Sequence, residues 1–396
     1  MATDTDPDRI ERFEDIDWQA TEMRGGLSAV SRKAFGLLLT LAAVCVFFLY
    51  DYYLVRKRKP TVPVIEWDVS QVDWMFMVTL AVIFFYVLLP LYENPRMTRY
   101  YWREFRKNRA AVFSGGFLLF VFGTGLVGPL LLPKPEIALE LGYQPPVFTS
   151  VSNNYPIQCV GEAANGRCFG TFQHPLGTTG RGKDIFRLIV YGMTVSMQIG
   201  LITGLIIITI GTIVGAVAAY VGGLADEVLM RYVDIQLTFP TFLLYLLLIY
   251  LFGQSLFMFI LVFGVTSWGL IARLVRSEAL QRTEEEYITA AQSAGAPNLY
   301  VIWRHILPNV SSTVITAVTL LIPSLLLYEA GLAFLQLGDP SIPSWGQVIS
   351  AGRSDLSFAW WISTVPGVFL FFTILAFNFI GDALRDALDP RQTTQE

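Results

Sequence analysis

The stretch Glu284–Pro308, EEEYITAAQSAGAPNLYVIWRHILP, decides the reading of this chain. It is a charged, helix-forming insertion between two uncharged runs of membrane length, built to be gripped from the water. Thr283 and Glu286 have the S/T-x-x-E spacing of a capping box, which predicts a short helix starting there. Gly295 stops it. Ala290, Ala291 and Ala294 give that helix a small-residue surface open to another protein's backbone, and Pro297-Asn298 predicts the restart of a second short helix. The expected product is a helix-turn-helix outside the bilayer. An ordinary amphipathic connector between membrane helices is the simpler alternative.

Composition sets the class. Of the 396 residues, 54% are hydrophobic and 15% charged, and the mean hydropathy is +0.51. A soluble core could not absorb this much apolar surface. A hydrocarbon layer of about 30 Å asks for about 20 apolar residues per helix. Uncharged runs that answer to it extend over Ala34 to Tyr50, Trp74 to Tyr92, Ala110 to Leu132, Met193 to Val221, Ile235 to Ala272, Ile306 to Tyr328 and Leu356 to Gly381. The run from Ile235 contains Gly253-Gln254-Ser255 and is expected to divide into a hairpin of two helices. The expectation is an all-α polytopic membrane protein with about eight transmembrane helices, two in front of a block of six.

Basic residues orient it. Arg96, Arg99, Arg103, Arg106, Lys107 and Arg109 crowd before the third run and place that loop in the cytoplasm. Alternation then puts Gly222 to Asp234, the Thr283 loop and both termini in the cytoplasm, with 133–191 outside. Arg56-Lys57-Arg58-Lys59 disagrees, since it falls outside on this count, and the short run from Ala34 is the one whose spanning is in question. Met1 to Glu22 is rich in acids and has no apolar core, unlike a cleavable signal peptide. A net charge of −4 and the lack of a basic stripe exclude nucleic acid as a partner, and the juxtamembrane clusters read as anchors for lipid headgroups.

Cys159 and Cys168 lie in the segment read as outside, where an oxidising environment would let them pair. Two free thiols or half a metal site are the alternatives. Metal is the weaker one, because His174 and His305 are the only histidines and neither lies between the cysteines. The same segment holds a near miss for a phosphate-binding loop, from Gly177 to Lys183, with Asp184 where Ser or Thr should hold Mg²⁺. It precedes a membrane helix instead of following a strand, so the chain is expected to bind no nucleotide. No HExxH or G-x-S-x-G motif supports an enzyme.

Further motifs carry a resemblance. Thr289-Ala290-Ala291, Gly295 and Ile306-Leu307-Pro308 resemble the coupling loop of importer-type ABC permeases, with Thr289 where that family often has Glu. His174-Pro-Leu-Gly-Thr178, Gly182-Lys-Asp184 and Tyr191-Gly192 resemble a signature of the dipeptide, oligopeptide and nickel branch, with Thr179 and Lys183 departing from it. Asp226 to Arg231, Phe239-Pro240, Glu329-Ala-Gly-Leu332, Gly338 to Gly346, Phe377 to Asp382 and Leu388 to Arg391 continue it. The resemblance covers 100–391, with residues 1–99 outside it as an extension carrying two candidate transmembrane helices and 392–396 as a tail. It implies a type I permease core of six helices, similar to the C-type subunit of peptide importers, with an extracytoplasmic loop 133–191 and a cytoplasmic coupling loop 276–308.

What the resemblance implies is a pathway shared with a second permease subunit, two ABC ATPase subunits that use ATP and Mg, and an extracytoplasmic substrate-binding protein. The ATPases would grip Glu286, Thr289, Ala290, Ala291, Ala294, Gly295, Leu299, Leu307 and Pro308. Two further features bear on the pathway. Gly200, Gly204, Gly211 and Gly215 fall within about 60° on an α-helix, a seam for close packing more than a pore lining. Glu329 is a carboxylate deep in an apolar run, a candidate for gating by default, or a hydrogen-bonding partner for the next loop. Pro340, Pro343, Ser344 and Trp345 are expected to form a rigid aromatic loop outside, where a delivering protein could dock, or a re-entrant turn. The competing class is an ion-coupled transporter or channel that uses Glu329 and needs no ATPase.

Overall fold

The structure is a computed structural model, and it describes residues 32–55, 60–62 and 67–388. Among the described residues, seven helices are long and apolar enough to cross a membrane, and a bent pair makes an eighth if it counts as one span. The first two, α1 (Arg32–Leu54) and α2 (Gln71–Glu93), form an antiparallel hairpin. At one end Lys33 pairs with Glu93 at 2.6 Å. Gly36 lets the Phe85 ring in where a Cβ would stand 2.5 Å from it, and at the other end Phe47 and Phe48 meet Trp74 edge-on. Both helices therefore have spanning length, including the shorter run. The basic cluster 56–59 lies outside the described residues, as do 1–31 and 389–396.

Ser70 starts α2 with a complete capping box: its hydroxyl accepts from the Asp73 amide, and the Asp73 carboxylate accepts from the Ser70 amide. The other Asp73 oxygen accepts from Gln198 Nε2 at 2.8 Å, a polar link between the hairpin and the core.

An amphipathic helix α3 (Pro95–Phe105) leads into α4 (Arg109–Leu131). Residues 133–184 then form a small subdomain, an addition to the all-α expectation. Three short antiparallel strands, β1 (Ser150–Ser152), β2 (Ala163–Ala164) and β3 (Arg167–Phe169), lie in the order β1-β3-β2, with Val151 and Ala163 both opposite Cys168. Cys159 and Cys168 are joined, Cα to Cα 5.7 Å.

The core follows. Helix α5 (Ile185–Val221) continues through a π-turn at Ile199–Thr203. The bent pair is α6 (Gly223–Thr238) and α7 (Thr241–Phe252), meeting at 73°. The expected first arm from Ile235 is therefore not one helix. Pro240 has no amide to continue the ladder, and α7 spans only about 18 Å at 1.5 Å per residue. Its turn at Gly253, φ +87°, is as anticipated.

Helix α8 (Leu256–Thr283) returns, α9 (Glu286–Ser293) lies across its end, and α10 (Asn298–Phe334) crosses again. After α10, the short helix α11 (Trp345–Gly352) dips back before α12 (Trp361–Leu388). Small residues set the spacing of these helices. A Cβ at Gly125 would touch the Met193 backbone at 3.0 Å, and one at Gly215 would sit 2.4 Å from the Ala272 carbonyl.

Two expectations change here. The glycine seam is divided, because the π-turn at Ile199–Thr203 breaks the 100° periodicity. Gly200 and Gly204 face Ile322 and Val318 of α10, while Gly211 and Gly215 face α8. The loop from Pro340 to Trp345 does not present an aromatic face either. Trp345 is 1% exposed and Ser344 is 4% exposed. The indole Nε1 donates to the Ile189 carbonyl at 3.2 Å, in a notch that Gly192 leaves open. A buried indole needs such an acceptor, and a deep backbone site supplied it.

Candidate functional site

The helix-turn-helix between α8 and α10 is built from its corner outward. Arg282 at the end of α8 holds Glu278 at 2.8 Å and Glu285 at 3.0 Å, which fixes the exit direction. The expected capping box is absent, because the Thr283 hydroxyl donates back to the Leu280 carbonyl at 2.7 Å as part of α8. The residue at the N-cap of α9 is Glu285, with no side-chain cap, and Glu286 places its charge in the first turn where the helix dipole favours it.

Ile288 is the anchor of α9 and is fully buried. Glu286, Thr289, Ala290 and Ala294 are exposed, Ala291 half-buried. Gly295 ends the helix at φ +80°. Its amide donates to the Gln292 carbonyl at 2.9 Å and the Ala296 amide to the Ala291 carbonyl at 3.1 Å, the two bonds of a Schellman motif.

The second helix is not short. From Asn298 it runs through a π-turn at Ile302–Ile306 into the whole of α10, 37 residues in all. The Leu307 amide reaches the Ile302 carbonyl, five residues back, and the wider turn carries the helix into Pro308. The helix therefore begins at Asn298, ahead of the uncharged run from Ile306, and the preceding helix ends at Thr283, past the end of the run at Ala272. Leu307 is half-buried and Pro308 exposed.

Three contacts tie the loop to the helix ends. The Gln292 amide donates to the Tyr220 hydroxyl, which donates to Asn298 Oδ1, both at 3.3 Å. Asn309 Nδ2 donates to the Tyr287 hydroxyl at 3.2 Å. Burial, and then the charge of Glu285, push the Tyr287 hydroxyl above its ordinary value, so it stays neutral. Residues that sequence reasoning missed complete the surface: Trp303 and Tyr300 are 62% and 51% exposed beside Leu299 at 68%. Trp303 is i+4 from Leu299, a spacing that could have flagged it.

Glu329 lies toward the other end of α10, 9% exposed. The Ser344 hydroxyl at the start of α11 hydrogen-bonds its carboxylate. The two share a small cavity of about 10 Å³ with Tyr245, Ser255 and Asp339. That is room for about one water. Its polar neighbours are engaged: the Tyr245 hydroxyl donates to the Leu337 carbonyl at 2.9 Å, and Asp339 accepts from the Leu256 amide at 3.1 Å. The geometry joins α10 to α11. Gly200 and Gly204 are likewise buried in helix packing.

The Gly177 to Lys183 segment is a turn with no strand leading into it. The Asp184 side chain caps α5 by accepting from the Arg187 amide, and His174 Nδ1 contacts its other oxygen at 2.7 Å. Gly182, at φ +73°, lies where a Cβ would collide with the Ala138 carbonyl. Its backbone therefore serves the fold.

Comparison with known proteins assigns the family. The family described as binding-protein-dependent transport system inner membrane component matches residues 185–394. The N-terminal TM domain of oligopeptide transport permease C matches residues 96–146. The chain is 34% identical over 290 residues to the oligopeptide transport system permease protein OppC of Haemophilus influenzae, covering 73% of this chain and 87% of that one. It is 34% identical over 292 residues to the dipeptide transport system permease protein DppC of Bacillus subtilis, covering 73% and 84%. A solved structure of the MetNI methionine ABC transporter in inward-facing conformations aligns at TM-score 0.43 and 20% identity, over 51% of this chain and 97% of that one, too weak an overlap to carry an argument. The matched residues and the membrane-spanning core agree: the chain belongs to the binding-protein-dependent transport system inner membrane components, the permease subunits of ABC importers.

Proposed function

We propose that this chain is one of two permease subunits of a peptide importer. In this reading both termini and the α9 loop face the cytoplasm, two ATPase subunits that use ATP and Mg dock on Glu286 to Pro308 and its counterpart, and an extracytoplasmic binding protein delivers the substrate to the side of 133–184. The segments 1–99, 100–391 and 392–396 are respectively an extension, the permease unit and a tail. Relatives named for oligopeptide and dipeptide transport support the substrate class.

The observation that carries the reading is the α9 loop itself. A helix whose one buried residue is Ile288 offers Ala290, Ala294 and Gly295 to solvent, with Leu299 and Trp303 exposed just beyond. Small residues allow close approach and the large ones supply apolar area to a partner. Docking there works as a switch only if the ATP-bound ATPases prefer one permease state by several kcal/mol.

The test is copurification with ATPases and peptide uptake for wild type and Ala290→Asp, which places an unpaired charge in the contact. Loss of both, with the membrane level of the chain unchanged, is expected. Retention of uptake and of ATPase stimulation would remove the docking assignment. Flux through the chain reconstituted alone would favour the ion-coupled class.

A further inference from the structure

Helix α8 is interrupted at Ser267 and Trp268, so its halves, Leu256–Thr266 and Gly269–Thr283, are two helices within one span. The second half carries the α9 loop. A displacement imposed on that loop would be spent in bending at the interruption unless something bridged it. Helix α6 bridges it. The two helices run antiparallel, and as α6 advances from Asp226 to Gln236 its partners on α8 go back from Arg276 to Val265.

Four contacts make the bridge. Arg276 gives Asp226 two parallel bonds, Nε to Oδ1 and Nη2 to Oδ2, each 2.5 Å. The Tyr232 ring stacks on Trp268 at the interruption itself, centroids 5.9 Å apart, and Arg273 donates to Asp234. On the far side the buried Gln236 donates through Nε2 to the Val265 carbonyl at 3.0 Å, in a notch at Gly269 where a Cβ would stand 2.8 Å from Gln236 Oε1. These contacts are unequal. The Arg273–Asp234 pair is the more exposed of the two ion pairs, and exposed pairs contribute little. Arg276–Asp226 has the fork geometry that gives arginine–carboxylate pairs both strength and direction.

Both ends of α6 are jointed. Gly222 and Gly223 before it have φ +63° and +55°, and a Cβ on either would meet nothing within 4 Å. Pro240 after it admits the 73° bend into α7. Helix α7 in turn is tied to the turn that follows α10: the Tyr245 hydroxyl donates to the Leu337 carbonyl at 2.9 Å, and Gln254 Nε2 to the Gln336 carbonyl at 3.0 Å.

We infer that Asp226 and Arg276 are positioning residues of the transport cycle. Their bidentate pair locks α6 to the half of α8 that carries the α9 loop, so movement of the loop is delivered through α6 to α7 and on to the turn between α10 and α11. The source of the movement rests on the docking reading above, whereas the clamp rests on the geometry of α6 and α8.

The full chain, purified with its ATPases and reconstituted for peptide uptake, carries Asp226→Asn or Arg276→Ala. Both variants should retain the ATPases, because the α9 surface is untouched, and both should transport at least tenfold less peptide per ATP hydrolysed. Cys45 is the one thiol outside the disulfide. In a Cys45→Ser chain, Asp226→Cys with Arg276→Cys closed by a short bismaleimide should recover to within threefold of wild type. An unchanged ratio in both single variants would overturn the inference. So would failure of the bridged pair to transport, since the two helices would then have to part in each cycle.

The clamp is also measured without ATPases. In the same Cys45→Ser chain, spin labels on Tyr250→Cys and Glu284→Cys, both exposed positions, report α7 against the loop. Asp226→Asn should widen their distance distribution at least twofold, and an unchanged width would overturn the inference. Absence of ATPases from the wild-type preparation would remove the docking reading and leave this width to decide the clamp.

Discussion

Replacing Gly295 tests the α9 turn at its most sensitive point. The residue sits at φ +80°, and a Cβ there would meet nothing within 4 Å. Gly295→Ala therefore introduces no clash, only backbone strain. A left-handed conformation costs a non-glycine residue about 1–2 kcal/mol, and the stiffer unfolded chain returns about 0.4–1 kcal/mol. The net loss is about 1 kcal/mol, or about fivefold in a local equilibrium.

Because Ile288 is the buried residue of α9, this loss appears as local opening and not as global unfolding. Hydrogen exchange of the full chain, followed by mass spectrometry over 284–300, should show the Gly295 and Ala296 amides exchanging about fivefold faster in Gly295→Ala. Gly295→Asn should fall closer to wild type, since Asn tolerates this conformation better. Gly295→Pro, which cannot adopt a positive φ and loses the bond to Gln292, should release the turn entirely. Identical protection in the glycine, alanine and asparagine proteins would refute the Schellman geometry.

Other perturbations reach other parts of the molecule. Ile288→Ala removes the buried anchor of α9 at a cost of about 2–5 kcal/mol to its docking, and limited proteolysis should cut within 284–296. Reduction of Cys159–Cys168, with a sequence separation of 9, should loosen the 133–184 subdomain by about 2–3 kcal/mol on the chain-entropy account, read as faster proteolysis there and not in the helices. Gln198→Leu breaks the link to Asp73 and should weaken hairpin packing by about 0.6 kcal/mol, the average for such bonds in membranes, measured by crosslinking between α2 and α5. Burial, and then the charge of Asp355, hold the Tyr143 hydroxyl above its ordinary value of 10.0. The protonated form is the stabilised one, so its contribution is complete below pH 10 and is lost as pH rises through the folded value. Alkaline release of the subdomain from the 353–358 segment should be abolished in Tyr143→Phe.

The positions of the spans and of the α9 turn were legible because they rest on local rules. Run length against bilayer thickness located the helices, and Gly295 marked its turn through a conformation few other residues adopt. Thr283 misled because a hydroxyl at a helix end has two partners within reach, and the Leu280 carbonyl was taken over the amide ahead. The break at Pro240 was visible as a residue, but the uncharged run around it hid the 73° bend. Trp345 looked like the ring of an outside docking loop until Gly192 and the Ile189 carbonyl, some 150 positions away, supplied its notch. The π-turns have no signature of their own in residue type. The strands around Cys168 are too short for a period of two to show.

Helix α10 also has mechanical properties. Asn298 stands in the exposed grip and Glu329 at the bond to α11, 31 residues on, about 46 Å away along one continuous rod. A tilt of about 5° imposed at the grip moves the far end by about 4 Å, more than the length of a hydrogen bond. Pro323 lies within the rod near its far third, where its missing amide leaves a joint that can take up part of the swing. The Glu329–Ser344 contact is thus placed where a small rotation at the loop arrives as its largest displacement, and α11 is the element that must follow it or let go.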